Sequence, residues 1–169
     1  MNGKLFIIIG QVSQSKVELS NMKLFIISIL ILFVFKIHAK DFTYKSTGTL
    51  ERNEITTFPG GGKFISFKHS GGFETNIGKY GKYQCNGSIL YDSNSTLENM
   101  YFACEFKDQN GDIFIGMGKR LKGSDMDRAV GKSELIDGKG FWKEYIGYKC
   151  SYAIEYVENI VFAPVKCKK

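Results

Sequence analysis

The placement of four cysteines, Cys85, Cys104, Cys150 and Cys167, within alternating apolar and polar stretches most constrains how this chain can fold. Over residues 147–157, Cys150, Tyr152, Ile154 and Tyr156 fall on one face, and Lys149, Ser151, Ala153 and Glu155 on the other. That period of two marks a half-buried strand. The alternation breaks at Glu158-Asn159 and resumes over residues 160–166. A two-residue hairpin loop at Glu158-Asn159 sets Cys150 opposite Cys167, with Tyr152 opposite Val165, Ile154 opposite Ala163 and Tyr156 opposite Val161. Counted from the closing pair, the cysteines form a non-hydrogen-bonded pair, where Cα atoms approach to about 4.5 Å and a disulfide fits. The alternating runs 82–91 and 97–107 repeat the logic: a four-residue loop, 93–96, closed by Asp92 and Leu97, sets Cys85 opposite Cys104. The sequence therefore predicts disulfides Cys85–Cys104 and Cys150–Cys167.

An even cysteine count is the mark of an oxidising compartment when a secretory signal precedes it. Residues 24–35 are apolar except for Ser28, follow Met22-Lys23, and lead to a small residue, Ala39. The run is too short for a hydrocarbon core that needs about 20 residues, and its flanks suit a cleavable signal. The expected organisation is an over-extended start at 1–21, a signal peptide at 22–39 and a single β-barrel domain at 40–169. The protein is expected to be periplasmic or secreted, with no stable membrane span after cleavage. The whole chain carries a formal charge of +6, but removing the first 39 residues takes away Lys4, Lys16, Lys23, Lys36 and Glu18 and leaves about half of that. Basic residues are scattered, and Arg52, Arg120 and Arg128 are the only arginines. No clustered footprint for nucleic acid is present.

Asn110-Gly111 and Asp137-Gly138 are strong hairpin signals. A two-residue turn at the first sets Phe106 opposite Ile115 and Cys104 opposite Met117, which carries the apolar face onto the next strand. The second joins strands at 129–136 and 139–146. Upstream, 42–50, 63–68 and 72–77 read as short strands, with Gly60-Gly61-Gly62 and Gly71-Gly72 as breakers. Helical periodicity is weak throughout 40–169. Eight or so short strands predict an all-β chain, a small antiparallel barrel stapled by disulfides. Closure removes edges that would otherwise aggregate.

The stretch from Ala129-Val130-Gly131-Lys132 to Gly138-Lys139-Gly140-Phe141-Trp142, with Asn110-Gly111-Asp112 some twenty residues earlier, resembles the late hairpin of allene oxide cyclases and dirigent proteins. The resemblance implies an eight-stranded barrel with an apolar cavity. It transfers no catalytic residue.

Catalytic chemistry is sparse. His69 is the one histidine after residue 39 and reads as a solvated residue at a strand end. It cannot supply a zinc site when the cysteines are paired, so no metal or cofactor is expected. Asp108-x-Asn110-Gly111-Asp112 lacks the glycine and glutamate positions of a calcium loop and reads as a turn, and Asp125 and Asp127 add no pattern. Gly60-Gly61-Gly62-Lys63 lacks the phosphate-loop spacing. Asn86 and Asn94 head glycosylation sequons.

Aromatic residues are abundant, and a barrel of about eight strands is either filled by side chains or holds one small ligand, as in lipocalins. The face marked by the cysteines makes Phe102, Met117, Tyr152 and Tyr156 the candidate ligand-binding residues, mixing apolar area, a thioether and two hydroxyls. The expected function is binding of a small apolar or amphipathic molecule by an exported barrel. A metal-free cyclase or isomerase is the alternative, with Glu134 or Glu144 as an inward carboxylate. A barrel that serves only as a structural or interaction module is the third possibility.

Overall fold

The computed structural model describes residues 41–120 and 128–169. The expected signal peptide at 22–39, the expected over-extended start at 1–21, and Asp125 and Asp127 lie outside the described residues. The chain divides into Met1–His38 and Ala39–Lys169, and the described residues belong to the second unit. Eight strands follow one another: β1 Phe42–Thr57, β2 Lys63–Thr75, β3 Tyr80–Tyr91, β4 Leu97–Asp108, β5 Ile113–Arg120, β6 Arg128–Gly138, β7 Lys149–Val157 and β8 Ile160–Lys168. Each pairs antiparallel with its neighbours, and β8 returns to β1 to close the barrel. Closure leaves no free sheet edge among the described strands.

Both disulfides form in the expected registers. Cys85 faces Cys104 with Cα atoms 4.0 Å apart, and Cys150 faces Cys167 at 4.1 Å. Tyr152 stands opposite Val165 and Tyr156 opposite Val161, across the Glu158-Asn159 turn. The β3–β4 loop is one residue longer than expected, because Tyr91 pairs with Leu97. Asp92 thereby enters the loop, and its Oδ1 accepts hydrogen bonds from the Asn94 and Thr96 amides at 2.9 and 2.7 Å.

Three further expectations are corrected. Gly71-Gly72 does not break a strand: β2 runs unbroken through it. Gly71 pairs with Gly48 of β1, and a Cβ on Gly71 would run into the Thr47 carbonyl and the Gly48 Cα. The glycines are there for close backbone approach.

The Asn110-Gly111 turn is one residue longer than the two-residue form. Asp108 and Asp112 close it through the Asp108 amide and Asp112 carbonyl (2.9 Å), and only Gly111 takes a positive φ, +83°. A two-residue type I′ turn would need positive φ at Asn110 as well. The Asp108 carboxylate selects the longer loop by accepting from the Asn110 and Asp112 amides at 2.9 and 3.0 Å. The register of β5 moves by one, so Phe106 meets Phe114, Cys104 meets Gly116, and Met117 meets Ala103. A one-residue slip turns every side chain over. Phe114, Gly116, Gly118 and Arg120 therefore share the inward face, and Met117 is 45% exposed on the outside.

Residues 139–146 are not a strand. Gly140–Tyr145 form a 3-10 helix that folds across one end of the barrel. Three residues per turn put Trp142 and Tyr145 on the same side, and both are buried. Trp142 packs 4.5 Å from Phe114 (centroid to centroid), which stacks at 4.4 Å on Phe106. The Trp142 indole N–H donates to Asp108 Oδ2 at 3.2 Å, and Lys79 Nζ pairs with the same oxygen at 3.2 Å. Burial would raise the Asp108 pKa, but Lys79 and the Asn110 and Asp112 amides outweigh it and hold the carboxyl below its usual range. Asp108-x-Asn110-Gly111-Asp112 thus acts as a turn that also latches the plug.

Candidate functional site

The plugged end of the barrel is solid with aromatic rings, and the space that remains lies above it. A cavity of about 60 Å³ is bounded by Tyr44, Phe67, Tyr83, Phe102, Tyr152 and Val161, among others. That is room for roughly two waters, well below the several hundred Å³ of a drug-sized pocket. Above it opens a mouth of about 190 Å³, walled by Ile65, Tyr91, Arg120, Tyr156 and others. Phe67 and His69 belong to both walls.

Glycines carve the inner wall to fit these rings. A Cβ on Gly131 would strike the Tyr152 ring, one on Gly118 would meet the Phe102 ring and the Lys132 carbonyl, and one on Gly87 would meet the Phe67 ring. The Tyr83 hydroxyl comes within 2.6 Å of where a Gly48 Cβ would stand. Gly87, Gly118 and Gly131 each give up β-propensity to make room for one ring, while at Gly48 the Ser70 carbonyl of the next strand comes closer still.

The tyrosine hydroxyls, with Ser46, His69 and Ser133, are the polar content of the cavity. Tyr83 and Tyr152 are 5% and 7% exposed. Neither hydroxyl meets a partner at full hydrogen-bond geometry, although Arg120 lies close enough to Tyr152 to favour its ionised form. Leaving such a group unsatisfied costs about 1–3 kcal/mol, so the position invites a water or a ligand atom. Burial pushes both pKa values up to about 12, aided at Tyr83 by Tyr156. At Tyr152 the Arg120 charge offsets part of the rise. Tyr44 is raised further still, by burial and then by Tyr152. All of these phenols are neutral donors at physiological pH. Ser46, on the same wall, donates to the Ala163 carbonyl at 3.4 Å.

His69 is not a solvated strand end. It is 4% exposed, within the continuous β2, with its ring 4.8 Å from Phe67 and 5.6 Å from Tyr156. Its Nε2 lies 3.3 Å from the Tyr156 hydroxyl. Burial first, and then Arg120, push its pKa down to about 4, so the ring is neutral. Arg120, at the inward end of β5, is 5% exposed. Its charge is felt by His69, Tyr152 and Tyr156 alike. Tyr156 is itself raised to about 12, chiefly by burial, with Arg120 working against the rise.

Of the residues expected to bind ligand, Phe102 and Tyr152 line the inner cavity and touch one another at 5.4 Å between ring centroids. Tyr156 stands in the mouth beside His69. Met117 points outward and joins neither. Tyr83, His69 and Arg120 complete the site. Tyr83 lies two residues from Cys85 and shares its face, a signal present in the alternation. Arg120 was hidden by the one-residue error in β5.

The carboxylates proposed for an isomerase face away from the interior. Glu134 pairs with Lys149 on the outer surface, and Glu144 is exposed on the plug helix. Among the described residues, no group of three or more His, Cys, Asp or Glu side chains could hold a metal. Both sequon asparagines, Asn86 on the outer face of β3 and Asn94 in the β3–β4 loop, are exposed. A wider depression of about 600 Å³ lies on the outer faces of β2–β4, between exposed side chains such as Lys82, Gln84 and Lys107. Of its walls Tyr83 and Cys104 are buried and the others are half-buried or exposed. Among the described residues, no helix is long and apolar enough to cross a membrane. No family model, curated protein or solved structure matches the chain.

Proposed function

We propose that this protein is an exported β-barrel that binds a small apolar or amphipathic molecule inside the barrel. The single observation that carries the reading is the buried Tyr83 hydroxyl, without a hydrogen-bond partner, facing the same mostly apolar cavity as the Tyr152 hydroxyl, which has Arg120 as its neighbour. A barrel meant only to be filled would place phenylalanine there and avoid two desolvated hydroxyls. Export is supported by the two disulfides, which suit an oxidising compartment, and by the apolar run ending before Ala39. The small cavity excludes bulky ligands, and the ligand's polar atom is to meet the two hydroxyls.

Titration with 1-hexanol, followed by amide NMR of the disulfide-intact protein, tests this. Saturable shifts are expected at Tyr83, Ser133 and Tyr152, and Tyr152→Trp, which fills the cavity, is expected to remove them. Shifts confined to the outer faces, or none, would leave a purely structural barrel. Export is tested separately by sequencing the N-terminus of the protein recovered outside the cytoplasm, which is expected to begin at Lys40.

A further inference from the structure

We propose that the outer face of β5–β8 binds a linear acidic polysaccharide, held by Lys119, Lys132 and Lys166, with one sugar ring seated against Tyr101 and Met117. The proposal concerns the outside of the barrel and stands apart from the binding reading above.

The first ground is register. Lysines scattered along the sequence are brought into one row by strand pairing. Tyr101 of β4 stands opposite Lys119 of β5, and Lys119 opposite Lys132 of β6. Lys132 stands opposite Ser151 of β7, and Ser151 opposite Lys166 of β8. All five side chains are exposed. Neighbouring strands lie about 4.8 Å apart, so the three ammonium groups are rooted within about 15 Å of one another, with a hydroxyl and no carboxylate between them. Glu134, the carboxylate of the adjoining row, is already paired with Lys149.

The second ground is repulsion. Like charges directly opposite across a pair of strands are destabilising, and Lys119 and Lys132 are such a pair. Lys132 turns away and donates from Nζ to Ser151 Oγ at 2.8 Å. An anion that bridges the two lysines removes the repulsion.

The third ground is the groove beside the row. It has a volume of about 290 Å³ and is walled by Tyr101, Met117, Lys119, Lys132 and Lys149, among others. At about 30 Å³ for each water-sized group it has room for one sugar ring with its substituents. A pyranose has an apolar C–H face and a polar edge. The face suits the Tyr101 ring and the Met117 thioether, and acid groups on the edge suit the lysines.

Curvature selects the partner. The lysines span four of the eight strands of a closed barrel, so their row bends around it. A flexible chain can follow that bend, whereas a flat bilayer or a rigid duplex meets only part of it. Single-stranded nucleic acid stacks its bases on aromatic rings that line its path, but Ser151, not a ring, separates Lys132 from Lys166.

Calorimetric titration of the disulfide-intact protein at pH 7 tests this with a heparin octasaccharide, a galacturonate octamer, a dextran of equal length, octathymidylate and phosphatidylglycerol vesicles. At least one acidic glycan is expected to bind, and dextran is not. Binding of heparin alone would fix sulfate as the required acid group. Affinity for the bound glycan is expected to fall at least about tenfold between 50 and 200 mM salt, as three charges are neutralised. Combined Lys119→Gln, Lys132→Gln and Lys166→Gln is expected to weaken it at least about tenfold. Lys82→Gln with Lys107→Gln removes another opposed pair of exposed lysines, away from the row, and is expected to change it less than about twofold. All five lysines are exposed, so both variants are expected to fold. Tyr101→Ala is expected to weaken the glycan without altering the salt dependence. Equal losses in the two lysine variants would reduce the effect to net charge and overturn the proposal. Tighter binding of octathymidylate or of the vesicles than of either glycan would overturn it too, as would no binding of either glycan.

Discussion

Protonating His69 should destabilise the barrel, and the size of the effect follows from where the ring sits. The unfolded histidine titrates near 6.5 and the folded one at about 4, because burial and the Arg120 charge disfavour the imidazolium. For a base whose folded pKa is depressed, the unfolded chain binds more protons throughout the interval between the two values. Stability then falls as pH is lowered from about 6.5 to 4, and no more is lost through this group below that. At about 1.4 kcal/mol per unit, the total is about 3 kcal/mol, or on the order of 10 °C in Tm for a domain of this size. Asp108 acts in a separate window: its folded pKa is depressed, so its contribution is lost only as pH falls below the ordinary carboxylate range. Urea denaturation at pH 7, 5.5 and 4 for the parent and His69→Gln isolates the histidine. The parent is expected to lose about 3 kcal/mol more than the variant between pH 7 and 4. An NMR titration placing the His69 ring near 6.5, or parallel pH profiles for the two proteins, would refute the buried, neutral assignment.

Other substitutions report on other parts of the fold. Met117→Ala on the outer face is expected to change stability by no more than about 0.5 kcal/mol, whereas Phe102→Ala is expected to cost about 3 kcal/mol by chemical denaturation. Equal losses would put Met117 back inside. Replacing Cys85 and Cys104 together by serine opens a bridge between residues 19 apart and is expected to cost about 3 kcal/mol of folding free energy. Gly131→Ala drives a methyl into the Tyr152 ring and is expected to cost about 1–3 kcal/mol and to displace the Tyr152 signals in NMR spectra.

The barrel and its disulfides were legible in the sequence because cysteine marks a face and alternation marks a register. With both known for β3–β4 and β7–β8, the pairings followed. The same alternation misled in β5, because Asn110-Gly111 fits turns of two lengths. The choice between them is made by the Asp108 carboxylate, which also answers to Trp142 and Lys79 far along the chain. No local pattern records that. Residues 139–146 failed for a related reason: Trp142 and Tyr145 are three apart, which is 3-10 spacing, but so short a helix is stabilised by what it plugs. Glycine was the hardest residue to read. Gly71 looked like a breaker and proved to be a point of contact between strands, while Gly118 and Gly131 gave no sign of the rings they accommodate. His69 followed the error at Gly71-Gly72, since a strand that continues through the glycines carries the histidine inside.

The central claim is that the space between Tyr83 and Tyr152 is a binding site. A crystal structure of the disulfide-intact protein grown with 1-hexanol tests it most directly. The account predicts ordered ligand density with the alcohol oxygen within hydrogen-bond distance of one or both hydroxyls and the chain passing Phe67 and His69 into the mouth. Water alone between the two hydroxyls, with no density for the alcohol anywhere inside the barrel, would contradict it.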